Sequence, residues 1–274
     1  GAALDAIAGA LDTGAFQTFL LRGITGSGKT EVYLQAIEHL LRQGRDALML
    51  VPEISLTPQT VGRFYARFAQ NIAVLHSGLG AGERFDEWRR ARRGEVRIVV
   101  GARSAVFAPL PRLGMIVVDE EHDNSYKQGD TPRYHARDVA IMRAKLAGAV
   151  CVLGSATPSV ESYHNSETGK SVRLELLRRA TDARLPEVRL VDMRSEARES
   201  AGKMILSATL EDAVNRCVAR GEQVILLLNR RGFAPFVLCP QCGWLATCND
   251  CQVSLTYQDQ KSTRLNSSHV SQSR

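Results

Sequence analysis

Gly23-Ile-Thr-Gly-Ser-Gly-Lys-Thr30 has the residue types and spacing of a phosphate cradle. The glycines allow backbone N–H groups of Gly23, Thr25, Gly26, Ser27 and Gly28 to close around a triphosphate, Lys29 reaches the β and γ phosphates, and Thr30 ligates Mg2+. Ninety residues on, Asp119-Glu-Glu-His122 ends the apolar run Met115 to Val118. Its carboxylates should emerge at the C-terminal edge of a buried strand, where open α/β sheets bind ligands. Asp119 would hold Mg2+ through water, and Glu120 would orient or deprotonate the attacking water. Gly154-Ser-Ala-Thr-Pro-Ser159 closes another apolar run. That puts the Ser155 and Thr157 hydroxyls beside the same edge, able to hydrogen-bond the acidic site and relay its state. The cofactors implied are ATP and Mg2+.

Cys239 and Cys242, then Cys248 and Cys251, form two C-x-x-C pairs. Such pairs suggest a metal rather than disulfides. Cys151 and Cys217 lie among apolar neighbours and read as small buried hydrophobes. The arginine run at 89–93 precedes Gly94 and reads as a solvated helix end, since basic residues favour the last turn.

The elements that must position these residues follow from hydrophobic pattern. Apolar runs at 18–22, 47–52, 72–76, 96–101, 115–120 and 149–155 lack alternation, as strands buried on both faces should. Helical stretches separate them, for example 31–44, where Val32, Ile37, Leu40 and Leu41 would line one face and Gly44 stop the helix. Strand, helix, strand in alternation defines an α/β fold with a parallel sheet. Strand-like pieces follow at 171–179 and 187–200, then a helix over 208–221 and a buried strand at 223–232. The 274 residues are 44% hydrophobic and 23% charged, ordinary for a folded domain. No run approaches the 18 apolar residues of a bilayer span, so the expectation is a cytoplasmic protein without membrane contact. A net charge of +6 suits a polyanionic partner.

These motifs, with Val51-Pro-Glu-Ile-Ser-Leu-Thr-Pro-Gln-Thr60, Gly101-Ala-Arg-Ser104, the stretch 122–138 and Leu226 to Pro235, occur in the order and spacing of superfamily 2 helicases. The chain resembles the bacterial replication-restart branch of that superfamily from about residue 15 to 258. The resemblance implies a RecA-like P-loop NTPase lobe, the start of a second such lobe and a partial Cys-rich zinc-binding insertion. It implies DNA contacts by Thr57, Gln59, Arg103 and Ser104. It also implies an aromatic-rich loop in which Tyr126 and Tyr134 stack on single-stranded DNA while Lys127, Arg133 and Arg137 supply charge. His122 joins Ser155 and Thr157 as a coupling residue. In such helicases the two cysteine pairs belong to different Zn2+ sites, so two half-sites are expected here, or one strained four-cysteine site.

Boundaries are expected at 1–198 for the first lobe with its connector, 199–237 for a truncated second lobe and 238–260 for the zinc-binding region. Residues 261–274 read as a non-native tail, and the chain as a fragment. The implied activity is ATP-dependent 3′ to 5′ unwinding of DNA at stalled forks. Implied partners are single-stranded and forked DNA, primosome proteins and single-stranded DNA-binding protein. The fragment itself should bind ATP and DNA without unwinding. A P-loop small-molecule kinase and a zinc-dependent nucleic-acid-binding module are the alternatives; each leaves part of the motif set unexplained.

Overall fold

Seven strands form one sheet in the order β3-β4-β2-β5-β8-β1-β9 in the computed structural model. The structure describes residues 1–69, 71–179, 187–193, 206–227, 239, 242, 244–247, 256–259 and 262–264. The strands are β1 (Gln17–Gly23), β2 (Asp46–Leu50), β3 (Ile72–Leu75), β4 (Ile98–Gly101), β5 (Leu113–Val118), β8 (Val150–Ser155) and β9 (Val172–Leu176). Every pairing among them is parallel. Short β6 (Lys127–Gln128) and β7 (Tyr134–His135) form a separate antiparallel ribbon.

Alternate strand residues feed two cores, one on each face of the sheet. On one face Ala47, Met49, Met115 and Val117 meet helices α1 (Ala2–Thr13) and α2 (Lys29–Arg42), and Phe64 of α3 (Pro58–Phe68). On the other, Leu48, Leu50, Ile116 and Val118 meet Ala91 of α4 (Ala81–Arg93) and Ala136, Ala140 and Ala144 of α5 (Ala136–Ala147). α1 buries Ala3, Ile7 and Leu11, one residue per turn, and stops at Gly14, whose φ of 65° is easy only without a Cβ. α6 (Val160–Glu167) starts at Ser159, whose side chain accepts from the Ser162 N–H.

Several expectations need correction. α2 buries Tyr33, Leu34, Ala36, Ile37 and Leu40, whereas Val32 and Leu41 are only partly covered. The inward face is rotated toward Tyr33, whose buried hydroxyl reaches Asp119 just beyond β5. Of the strands expected at 187–200 and 223–232, residues 187–193 and 223–227 are not strand, and 194–200 and 228–232 lie outside the described residues. Ile225 and Leu227 are 96% and 92% exposed, and no strand among the described residues pairs with them.

The chain divides into two compact units, Gly1–Arg184 and Leu185–Arg274. Within the second, a helix over Ala208–Ala219 is capped by Ser207 and buries no residue, leaving Cys217 half-exposed rather than in a core. β10 (Thr256–Asp259) pairs with β11 (Ser262–Arg264) across the boundary drawn for the tail. Among the described residues no helix is long and apolar enough to cross a membrane.

Candidate nucleotide site and its surroundings

The turn after β1 delivers the cradle to the N-terminus of α2. Gly28 caps that helix with φ 89°, and Gly26 has φ 78°, so both need glycine's freedom. Gly23 needs the absence of a Cβ, which would lie 2.5 Å from Ser27 Oγ and 2.9 Å from Lys29 Cγ. Ser27 Oγ is buried with no hydrogen-bond partner among the described residues. Lys29 Nζ donates to Gly23 O at 2.9 Å and lies 3.6 Å from Glu120 Oε1. Thr25, Gly26, Ser27, Gly28, Lys29 and Thr30 line a cleft of about 1050 Å³ that Asp119 and Glu120 also face. Arg67, on the cleft wall, bridges Glu31 at 2.9 Å and Glu38 at 2.8 Å.

β5 ends at Val118 and sends the acidic run into this cleft. Asp119 is tied into the sheet edge by its N–H to Leu50 O. Tyr33 Oη donates to Asp119 Oδ1 at 3.0 Å and Tyr126 Oη to Asp119 O at 2.7 Å. Burial, followed by the neighbouring Glu120 charge, pushes the Asp119 carboxyl up to about 6, against the pull of Tyr33 and Lys29. Only glycine fits at 154, because a Cβ there would overlap Tyr33 Oη at 1.6 Å. Glu120 has φ 45°, a left-handed backbone that is strained for a side chain of this size. This turn sends Glu120 toward Lys29 and Glu121 away from the cleft.

Glu121 is fully buried and carries a network that the sequence reading missed. Its carboxylate accepts from Ser159 N at 2.7 Å, Ser159 Oγ at 3.0 Å, Ser162 Oγ at 2.7 Å and Arg137 Nη1 at 3.2 Å. His122 Nδ1 lies 2.7 Å from Ser155 Oγ, which also accepts from Thr157 N at 2.9 Å. Asp119 to His122 is therefore joined to the segment 154–159 through both Glu121 and His122. The exposed Thr157 contributes its backbone N–H.

The residues assigned to DNA divide differently from the expectation. Thr57 caps α3 by accepting from Thr60 N, Gln59 is exposed in its first turn, and Ser104 is exposed. Arg103 Nη1 donates to Ser125 O at 3.2 Å and Lys127 O at 2.8 Å, pinning the aromatic loop. Tyr126 cannot offer a stacking face, because it is 0% exposed and braces Asp119 from below. Arg137 is likewise not a phosphate contact, because its guanidinium is held by Glu121, Ser159 Oγ and Asp138. Tyr134 is half-buried, edge-on to Phe107 at 5.1 Å, while Lys127 and Arg133 are exposed. Sequence spacing could flag the tyrosines but not distinguish the brace from the rim.

No group of three or more metal-ligating side chains occurs among the described residues. Cys239 and Cys242 are described, with Cys239 N donating to Trp244 O at 2.7 Å; Cys248 and Cys251 lie outside the described residues. Cys151 is buried in the core, where burial pushes its thiol up to about 12.

A parallel sheet with a glycine cradle at the end of β1 and an acidic run at the end of β5 makes this a P-loop nucleotide-binding lobe, and a family model narrows the class. Residues 4–166 match the DEAD/DEAH box helicase model, more than half of the chain, and the chain belongs to that family. Within it the chain is similar to the replication restart protein PriA of Bacillus subtilis, 52% identical over 93% of this chain and 32% of that protein. The PriA proteins of Synechocystis and Haemophilus influenzae are 49% and 48% identical over 88% of this chain, and 30% and 33% of their own lengths. The chain thus spans about a third of these relatives. The resemblance to replication-restart helicases read from the motifs is borne out.

Proposed function

We propose that this chain is the nucleotide-binding lobe of an ATP-dependent DNA helicase that acts in replication restart, with 3′ to 5′ polarity on single-stranded DNA at forks. The observation that carries the reading is the convergence of Lys29, Asp119 and Glu120 on one cleft. The residues present fit MgATP. Backbone amides of 25–28 and Lys29 hold phosphate, the buried Ser27 Oγ offers an unused donor, and Thr30 with Asp119 would hold Mg2+. Glu120, held off by Lys29 until a phosphate takes the lysine, is the group to orient water. Arg103, pinning a loop whose Tyr126 braces Asp119, gives DNA contact a physical route to the site.

Primosome proteins and single-stranded DNA-binding protein are the proposed partners, at forked DNA. The domain reading places the first lobe at 1–198, the second-lobe start at 199–237, a zinc-binding region at 238–260 and an appended tail from 261. Cys239, Cys242, Cys248 and Cys251 are proposed as two Zn2+ half-sites, with a cytoplasmic location and no unwinding by this chain alone.

Titration with a fluorescent ATP analogue and Mg2+, with and without oligo-dT, tests the reading. Lys29→Ala should weaken nucleotide about ten- to hundredfold, the worth of a charge-assisted hydrogen bond. Single-stranded DNA and nucleotide should alter each other's affinity by the same factor. Nucleotide binding indifferent to both Lys29→Ala and DNA would refute it.

A further inference from the structure

Helices covering a parallel sheet run back against the strands, so the C-termini of α2, α4 and α5 arrive at the end opposite the nucleotide cleft. That end is strongly basic. Arg45, Arg112 and Arg143, with Leu110, Pro111 and Leu113, line a hollow of about 510 Å³ that no carboxylate lines. Arg45 donates to Leu113 O and Gly148 O, and Arg143 to Val106 O and Ala108 O. Carbonyl partners hold these guanidiniums in place without neutralising them.

The basic surface continues onto α4. A Cβ on Gly94 would sit 3.8 Å from Arg112 Nη2, so the end of the 89–93 run abuts the hollow. Arg89 lies over the Phe85 ring at 5.5 Å and Arg92 over Trp88 at 5.6 Å, and neither has a carboxylate partner among the described residues. Arg90 is paired with Glu87 and Arg93 with Glu95. Asp46 is buried and holds Arg97 Nε at 3.2 Å and the Arg112 N–H at 3.0 Å, with the Arg112 guanidinium itself at 3.6 Å. Each helix C-terminus contributes only about half a negative charge, and its effect fades within a turn. Capping the helix ends therefore does not account for Arg45, Arg89, Arg92 and Arg143 together.

We infer that this end of the lobe is a second nucleic-acid surface, which holds the phosphodiester backbone of a DNA duplex. The inference rests on the reading above only in taking DNA as the polyanion. Duplex rather than single strand is favoured because single-strand sites stack bases on open rings. No aromatic ring lines this hollow, and the Phe85 and Trp88 rings beside it each carry a guanidinium, so charge outweighs stacking surface here. Contact of this kind reads no sequence and depends steeply on salt.

The test is Arg89→Gln with Arg92→Gln in the whole chain. Both side chains are exposed and neither is paired with a carboxylate among the described residues. Anisotropy titrations of a blunt labelled duplex over a salt series give the slope of log K against log salt. Two lost phosphate contacts should reduce that slope by about 1.8 and weaken binding roughly tenfold or more near 0.1 M salt. Affinity for oligo-dT and for the ATP analogue, and the melting temperature, should stay unchanged. An unaltered slope would overturn the inference. So would an equal loss of oligo-dT binding, or displacement of duplex by polyglutamate charge for charge, which would assign the surface to an acidic protein. If nucleotide fails to bind either protein while the slope still falls, the function reading fails and this one stands.

Discussion

Tyr33→Phe isolates one bond at the centre of the site. Tyr33 is 0% exposed and its hydroxyl meets Asp119 Oδ1 at 3.0 Å, so the substitution removes one oxygen and leaves the ring in its packing. The bond stabilises the ionised carboxylate and opposes the burial and the Glu120 charge that together hold Asp119 near about 6. A hydrogen bond to a charged group is worth about 1.5–3 kcal/mol, or roughly one to two pH units at 1.36 kcal/mol each. Loss of the bond should move the Asp119 midpoint from about 6 into the range of about 7 to 8. Because Asp119 must be ionised to help hold Mg2+, Mg2+-dependent binding of the ATP analogue should fade below that midpoint. Affinity measured from about pH 5 to pH 9 should show the wild-type fall near pH 6 and the variant fall at least one unit higher. Coincident profiles would refute the reasoning, since they would mean that Asp119 does not govern Mg2+ or that Tyr33 does not stabilise its charge.

The same carboxyl sets a stability cost. Its folded value near 6 lies above the ordinary 3.8, so the native state binds the extra proton and stability falls as pH rises between those values. Asp119→Asn should therefore raise stability at neutral pH by up to about 3 kcal/mol, read by urea denaturation, while abolishing Mg2+ dependence. Glu121→Ala should act in the opposite sense. It strands the Arg137 guanidinium and two serine hydroxyls in a buried pocket, at about 3–5 kcal/mol, and thermal melting should show the loss.

The sheet was legible because both faces of its strands are buried, so their apolar runs carry no alternation and stand out from the helices. The cradle was legible for a different reason. Phosphate binding at a helix N-terminus fixes glycine, lysine and threonine at set offsets within a single turn. Tyr126 and Arg137 were assigned to DNA because an aromatic and a basic residue in a polar loop look alike whether they face solvent or fold inward. What decides their direction is a partner far away in sequence, the Asp119 carbonyl for one and the Glu121 carboxylate for the other. Glu121 was passed over beside two carboxylates with an evident role; only the turn at Glu120, with φ 45°, separates its direction from theirs. The apolar run at 223–227 misled because its pattern reports a preference for a sheet, and no strand among the described residues pairs with it.

That run has a practical consequence. Ile225, Leu226 and Leu227 are 96%, 54% and 92% exposed, and no strand among the described residues pairs with them. An exposed β-prone apolar segment is a template for self-association. Preparations of this chain should lose soluble material through that segment first, and a charged substitution such as Leu227→Lys is the simplest gatekeeper against it.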